Sequence, residues 1–336
     1  MIGGHVDDRA ATSAIASQSL RSRDFAPVIA RIAPLAGLFL LILVMAVFVP
    51  GFFTVQNLTN VARQVSINAI IASGMTLIII TSGIDLSVGS LVALTGCVAM
   101  IALNATDNDV LGVLVGIAVG GLAGAMNGSL VAFLRLPAFV VTLGGLTIFR
   151  GIALTITEGQ PIIRFDGAYK WLGQGVLLGL PVPVWIMVIV VIFIHFLLSR
   201  TTFGAHIYAV GGNEAAARLS GVRVQLVKFM AYVTGGLLTG LAGMILMARL
   251  SSAQPASGEM FELDAIAAVV LGGTSLSGGR GMVWGTLIGA LIIGILNNSL
   301  NLLGVSSFYQ LVAKGAIILL AVFVDQWLRQ RLANRI

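Results

Sequence analysis

Residues 182–199 read VPVWIMVIVVIFIHFLLS and contain no Asp, Glu, Lys or Arg. A helix of about 20 mainly apolar residues is long enough to cross the hydrocarbon core of a bilayer. Similar apolar blocks fill most of the 336-residue chain, in which 58% of residues are hydrophobic and 10% are charged. A soluble domain carries roughly 25% charged residues, so this chain has too little charge to cover a surface in water.

We therefore predict an all-α polytopic membrane protein with about ten transmembrane helices, because the long apolar blocks lack the alternation of a membrane β-barrel. The block at 262–272 is short, and is either a half-helix or continues through the glycines after it; broken or re-entrant segments are thus expected. Residues 1–31 form a disordered cytoplasmic tail in this prediction, 32–328 the transmembrane domain and 329–336 a basic cytoplasmic C-terminus. The predicted spans are 32–49, 64–82, 86–103, 110–134, 137–157, 182–199, 228–249, 262–272, 282–303 and 306–328.

The basic residues indicate which way the chain is oriented. With the N-terminus in the cytoplasm, 13 of the 19 Lys and Arg residues fall on the inside, four fall outside and two lie within spans. This distribution follows the positive-inside rule and places both termini in the cytoplasm. The net charge of +6 thus reflects membrane topology, and the scattered positives offer no stripe for nucleic acid.

Several chemistries are excluded by residue counts. A single cysteine (Cys97) and three scattered histidines give no disulfide framework and no metal centre. The glycines at 272–281 lack the G-x-x-x-x-G-K-[ST] pattern of a phosphate-binding loop, so we expect no bound nucleotide or other cofactor. No grouping of His, Asp, Glu and Ser suggests an enzyme.

The loop at 200–227 is too long to be a plain connection. It contains Asn213, a helix-capping residue, followed by Glu214 and three alanines, Ala215, Ala216 and Ala217; Gly221 then ends the helix. A short capped helix with a small-residue face suits docking into a groove of another protein. The alternative is an ordinary helix on the membrane surface.

A second polar segment interrupts the apolar blocks at residues 81–90, TSGIDLSVGS. A carboxylate at membrane depth is costly, and marks a function by default. Two interpretations remain open: Asp85 caps the next helix, or it lines a hydrophilic path. On the second interpretation the path residues here are Thr81, Ser82, Asp85 and Ser87.

Amide side chains inside other spans also allow two interpretations. Hydrogen bonds between helices are their commoner use. Lining a path for a sugar is the other, because amides suit an uncharged solute that is rich in hydroxyls. The few charges within the spans provide no proton or sodium relay, so energy is expected from outside this chain. The candidates are Asn68, Asn127, Asn297 and Asn298.

Five blocks of the sequence carry a family resemblance. They are ITSGIDLSVGSLVALTG (80–96), VGGNEAAARLSGV (210–222), ARLSSAQPASG (248–258), FELDAIAAVVLGGTSLSGGRG (261–281) and GTLIGALIIGILNNSLNLLGVSSFYQLVAKGAIILLAVFVD (285–325). The chain from about Phe52 to Asp325 resembles the membrane permease subunits of ribose-type ABC sugar importers, in the branched-chain amino acid/ribose permease superfamily.

The resemblance implies a multi-pass protein of the bacterial inner membrane, in contact with lipid, that imports a monosaccharide with ribose as the expected substrate. It implies a homodimer of permease subunits, a separate cytoplasmic ABC ATPase that binds ATP and Mg, and a periplasmic sugar-binding protein. Residues 214–221 match the ATPase-coupling loop, although Glu214 and Gly221 are one residue further apart than is commonest. The alternatives are another sugar (xylose, galactose, arabinose or a furanone-like signal) and an ion-coupled secondary carrier.

Overall fold

The computed structural model describes residues 34–306, 308–316, 319 and 323. Within these ranges the chain is mainly helical, which confirms the all-α polytopic class. Residues 308–316 are helical as well. The helices before them are α1 (Pro34–Phe48), α2 (Val55–Ile80), α3 (Val88–Thr106), α4 (Asp109–Ala132), α5 (Ala138–Ile156), α6 (Trp171–Gln174), α7 (Val182–Arg200), α8 (Thr202–Gly212), α9 (Glu214–Leu219), α10 (Val224–Leu250), α11 (Phe261–Leu271) and α12 (Val283–Leu302).

Seven of these helices (α2, α3, α4, α5, α7, α10 and α12) are long and apolar enough to cross a membrane. The predicted spans at 32–49 and 262–272 correspond to the shorter helices α1 and α11. The span at 306–328 is described only in part. The predicted count of ten is therefore not confirmed. The tail at 1–31 and the C-terminus at 329–336 lie outside the described residues.

Helix α2 begins nine residues before the predicted start of its span. The Thr54 hydroxyl oxygen accepts a hydrogen bond from the Asn57 N–H, which is the usual way to begin a helix. The Asn57 side chain is buried and accepts a hydrogen bond from Asn298 of α12. The sequence did not predict this start, because a polar residue such as Asn57 is typical of a loop unless its buried hydrogen-bond partner is known.

The loop predicted at 158–181 holds small pieces of secondary structure. Strand β2 (Val176–Leu177) pairs antiparallel with β3 (Leu180–Pro181) to form a hairpin. Strand β1 (Ile162–Ile163) pairs with β4 (Ser252–Ala253), which follows α10. A 3-10 turn at Ala168–Lys170 leads into α6.

Helix α2 is the most deeply buried span and packs against α7, α10, α11 and α12. Helices α4 and α10 make the most extensive contact between two helices in the described part of the chain. Gly120 and Gly124 of α4 lie directly against Gly236 of α10, with backbone facing backbone. Small residues permit this approach in membrane helices, where van der Waals packing drives association.

Candidate functional site

Helix α9 has both caps that the sequence predicted. The Asn213 side chain accepts a hydrogen bond from the Ala216 N–H at 3.0 Å. At the other end Gly221 adopts a positive φ of 83°, and the Val222 N–H donates to the Ala217 carbonyl at 3.0 Å. This is a Schellman ending, which favours glycine because a Cβ is disfavoured at positive φ. The local capping signals therefore determined this helix correctly.

One face of α9 is exposed, and it differs from the predicted alanine face. Ala215 and Ala216 are exposed, but Ala217 is only 5% exposed and packs into the main core. Its inclusion in an exposed docking face was wrong, because two helix positions turn by about 200° and place Ala217 on the side of α9 opposite to Ala215. Leu219 is 90% exposed, and sequence analysis did not select it. The sequence signal that was missed is a single large apolar residue in a short helix of otherwise small and charged residues.

Glu214 ties α9 to the start of α10. Its carboxylate accepts hydrogen bonds from Lys228 at 2.5 Å and from Arg218 at 3.0 Å. The hydrogen bond from Lys228, more than the Arg218 charge, holds the pKa of Glu214 below its ordinary value. The link is therefore intact at neutral pH and is lost as the pH falls through that lowered pKa. The family resemblance left the role of Glu214 open. In the structure Glu214 holds α9 against the start of α10.

Three loops meet beside α9. The Gly279 N–H donates to the Ile80 carbonyl at 2.9 Å, and the Ser82 hydroxyl donates to the Ser277 carbonyl at 3.0 Å. Gly211, near the end of α8, packs onto the same Ile80 carbonyl so closely that a Cβ would overlap it. The segment that carries α9 is thus in backbone contact with the end of α2.

Asp85 and Ser87 lie just beyond this junction. The Asp85 carboxylate accepts hydrogen bonds from the Ser87 N–H (2.8 Å) and the Ser87 hydroxyl (2.6 Å), as in an Asx turn at a helix start. The Asn127 amide of α4 donates to the Ser87 oxygen at 2.9 Å. All three residues are buried. The Asp85 carboxylate is thus bonded to the residue that precedes α3, and Asn127, 40 residues after Ser87, contacts the same turn.

The remaining path candidates do not form one continuous set. Thr81 donates to the Ile78 carbonyl of its own helix at 2.8 Å. The Asn297 amide donates to Asp264 of α11 at 3.2 Å. Asn298 donates to α2 at the Asn57 side chain, and Asn68 is buried within α2. The two α12 asparagines therefore join helices, which is the commoner use of such residues.

A cavity of about 340 Å³ connects the two predicted sites. Thr81 and Ser82 line it together with Glu214 and Lys228. Arg135 and Arg218 add positive charge to its wall. Asp85 is not among the lining residues, although the loop that contains it begins at the wall.

Ser87→Ala should lower the free energy of unfolding by about 1–3 kcal/mol, because it leaves the buried Asn127 amide without its acceptor. The matched control is Ser73→Ala, which removes a buried hydroxyl bonded only within its own helix, to Ala69. The control should lose about 1 kcal/mol or less. Thermal unfolding of the purified variants in detergent measures both. Equal unfolding midpoints for the two variants would mean that the contact with Asn127 contributes nothing.

Comparison with known proteins gives a consistent result. A family model described as "Branched-chain amino acid transport system / permease component" matches residues 57–322. The ribose import permease protein RbsC of Escherichia coli K12 is 52% identical over 295 residues, covering 87% of this chain and 92% of that protein. RbsC of Bacillus subtilis 168 is 49% identical over 304 residues (90% and 94%). The D-allose transport system permease protein of Escherichia coli K12 is 40% identical over 293 residues (86% and 90%).

Proposed function

Since the chain belongs to the branched-chain amino acid transport system / permease component family, we propose that it is the permease subunit of an ATP-driven ribose importer. The observation that carries this proposal is sequence identity. The chain is 52% and 49% identical to two ribose import permeases over most of its length, and 40% identical to a D-allose permease. The protein is a multi-pass protein of the bacterial inner membrane. Its role is transport and not catalysis.

The partners follow from the family. The permease works in a complex with an ABC ATPase, which binds ATP and Mg, and with a periplasmic sugar-binding protein. Two copies of the chain form the pathway. The inside-rich distribution of positive charge supports a topology in which both termini and the α8–α9 segment face the cytoplasm.

Uptake into proteoliposomes tests the function. Proteoliposomes that contain the chain, its ATPase and its binding protein should import radiolabelled ribose only when ATP is present on the side of the membrane that carries the ATPase. An ionophore should not stop this import. Excess unlabelled ribose should compete better than D-allose or L-arabinose. Import that follows an ion gradient without ATP would establish a secondary carrier instead. Stronger competition by another sugar would change the assigned substrate.

We propose that the ATPase docks on the exposed face of α9. Asn213, Ala215, Ala216 and Leu219 are exposed on a helix whose two ends are capped and whose Glu214 is bonded to α10. A rigid, small helix with one protruding apolar side chain fits a groove of complementary shape. Leu219 is the side chain that would enter that groove most deeply.

Leu219→Glu should weaken binding of the ATPase by about 2 kcal/mol, or about thirtyfold, because a buried interface anchor is replaced by a charge. Ribose uptake should fall with it, while the amount of folded permease stays normal because residue 219 is exposed. Leu178→Glu is the matched control: Leu178 is 84% exposed in the turn between β2 and β3.

A cysteine at Ala216 should crosslink to cysteines in the ATPase groove, with a yield that changes when ATP is added. The natural Cys97 is buried and contributes little background. If Leu219→Glu behaves like Leu178→Glu, and no crosslink forms at residue 216, α9 is not the coupling element.

A further inference from the structure

The segment between α10 and α11 is not helical, yet it runs deep along α3. Ala253 lies against Gly96, and Gly258 lies against Gly89, seven residues earlier on α3. Seven residues of helix correspond to about 10 Å. Non-helical backbone at membrane depth persists only where it is buried in protein or lines a water-filled cavity. Short helices broken in this way often mark the substrate site of a transporter.

Arg150 of α5 holds this segment in place. Its guanidinium donates hydrogen bonds to the Pro255 carbonyl and, at 2.8 Å, to the Ser257 carbonyl. Two turn residues follow, Gly258 and Met260, both with positive φ. For Met260 that conformation is uncommon and costs free energy, so surrounding contacts must impose it.

A cavity of about 400 Å³ opens between α3, α5 and this segment. Its polar lining combines the Arg150 guanidinium, the carboxylates of Glu259 and Glu262 and the Ser90 hydroxyl. Its apolar lining is Leu146, Leu154, Ala256 and Met260. The volume lies within the range of small-molecule sites, which typically combine apolar walls with a few convergent polar groups.

We propose that this cavity is a binding site for the transported pentose inside the permease, with Glu259 and Glu262 accepting hydrogen bonds from sugar hydroxyls and Arg150 donating to them. The proposal rests on the function proposed above. Hydrogen bonds to charged groups are stronger than those between neutral groups, so few are needed to hold a neutral sugar briefly. Two carboxylates against one guanidinium also give the site a net negative charge. It should therefore reject phosphorylated sugars.

The position of the cavity fits a route through the membrane. Helix α5 lines this cavity through Leu146, Arg150 and Leu154, and lines the cavity beside α9 through Ala138. Ala138 and Leu146 are eight residues apart, or about 12 Å along the helix. Along the chain, Ser87 lies between Thr81, which lines the cavity beside α9, and Ser90, which lines this one. The two cavities are thus successive compartments along one helix.

Protection of an introduced cysteine tests the proposal. In a Cys97→Ser background, Ala256→Cys places a thiol in the cavity wall, and the complex with ATPase and binding protein is treated with a water-soluble thiol reagent. Ribose near saturation should slow the labelling about fivefold or more, as mass action requires when most sites are occupied. Ribose 5-phosphate should give no protection. Leu178→Cys, exposed in the β2–β3 turn, should label at the same rate with or without ribose.

Transport by Glu259→Gln gives a second readout. Its uptake of ribose should fall about tenfold, the equivalent of one weakened hydrogen bond to a charged group. Leu154→Cys repeats the labelling test if Ala256→Cys does not fold. Absence of ribose protection at both positions, or full uptake by Glu259→Gln, would overturn the inference.

Wild-type uptake separates this inference from the proposed function. Normal ATP-driven ribose uptake without protection refutes only the cavity as binding site. Absence of ribose uptake by the wild-type complex counts against the proposed function. The labelling assay needs no turnover, so it decides the inference in either case.

Discussion

Lys314→Met should lower the free energy of unfolding by about 3–5 kcal/mol, the usual cost of removing one partner of a buried ion pair. Lys314 donates to the Asp264 carboxylate of α11 at 3.0 Å, and their side chains are 15% and 4% exposed. Without the lysine, the buried carboxylate keeps only the Asn297 amide at 3.2 Å. The thermal unfolding midpoint in detergent and the amount of protein in the membrane should both fall.

Two further variants isolate the charge. Lys170→Met removes a half-buried lysine whose ammonium group makes an exposed hydrogen bond to the Phe165 carbonyl, and should change stability by about 0.5 kcal/mol or less. Lys314→Met combined with Asp264→Asn leaves no unpaired charge and should recover at least half of the loss, because an uncompensated charge is the main cost. If Lys314→Met unfolds at the same temperature as Lys170→Met, the ion pair does not stabilise the bundle.

Gly211→Ala should reduce ribose uptake strongly and lower stability by about 1–3 kcal/mol, the typical effect of inserting atoms into a closely packed region. The added Cβ would overlap the Ile80 carbonyl oxygen and would also lie 2.5 Å from the Gly279 nitrogen. Both neighbours are backbone atoms, so no side chain can move aside. The α8–α9 segment must therefore shift away from the end of α2.

Gly212→Ala is the matched control, because a Cβ at the next residue meets no atom within 4 Å. It should transport ribose at the wild-type rate and unfold at the wild-type temperature. Uptake and unfolding midpoint, measured for both variants at equal membrane levels, distinguish a local clash from a general intolerance of alanine here. Equal behaviour of the two variants would show that the three-loop junction tolerates displacement.

The membrane class and the helix α9 could be predicted because both depend on neighbouring residues. Asn213 and Gly221 act within a few positions of themselves, and a span shows in its own composition. The burial of Ala217 depends on how α9 lies against the core, which no local pattern contains. The short α11 was expected from the apolar block at 262–272, but no local pattern showed that the residues before it run beside α3 without forming a helix.

The partners of the polar residues were the hardest part to predict. Asp85 was offered either as a cap or as a path residue; its carboxylate bonds to Ser87, and Asn127, which bonds to the same serine, lies 40 residues further along the chain. Arg150 lies within the predicted span 137–157, while its acceptors lie more than 100 residues further along the chain. Such pairs are set by the arrangement of whole helices. A single sequence gives the types of these residues and leaves their contacts undetermined.

The glycine contact between α4 and α10 has a mechanical consequence. Gly120 and Gly124 bring the two backbones together with no side chains between them, so neither helix can slide by repacking flexible groups. Helix α10 begins just after α9, and Lys228 connects them. When α9 is displaced, α4 and α10 should therefore move together as one rigid unit.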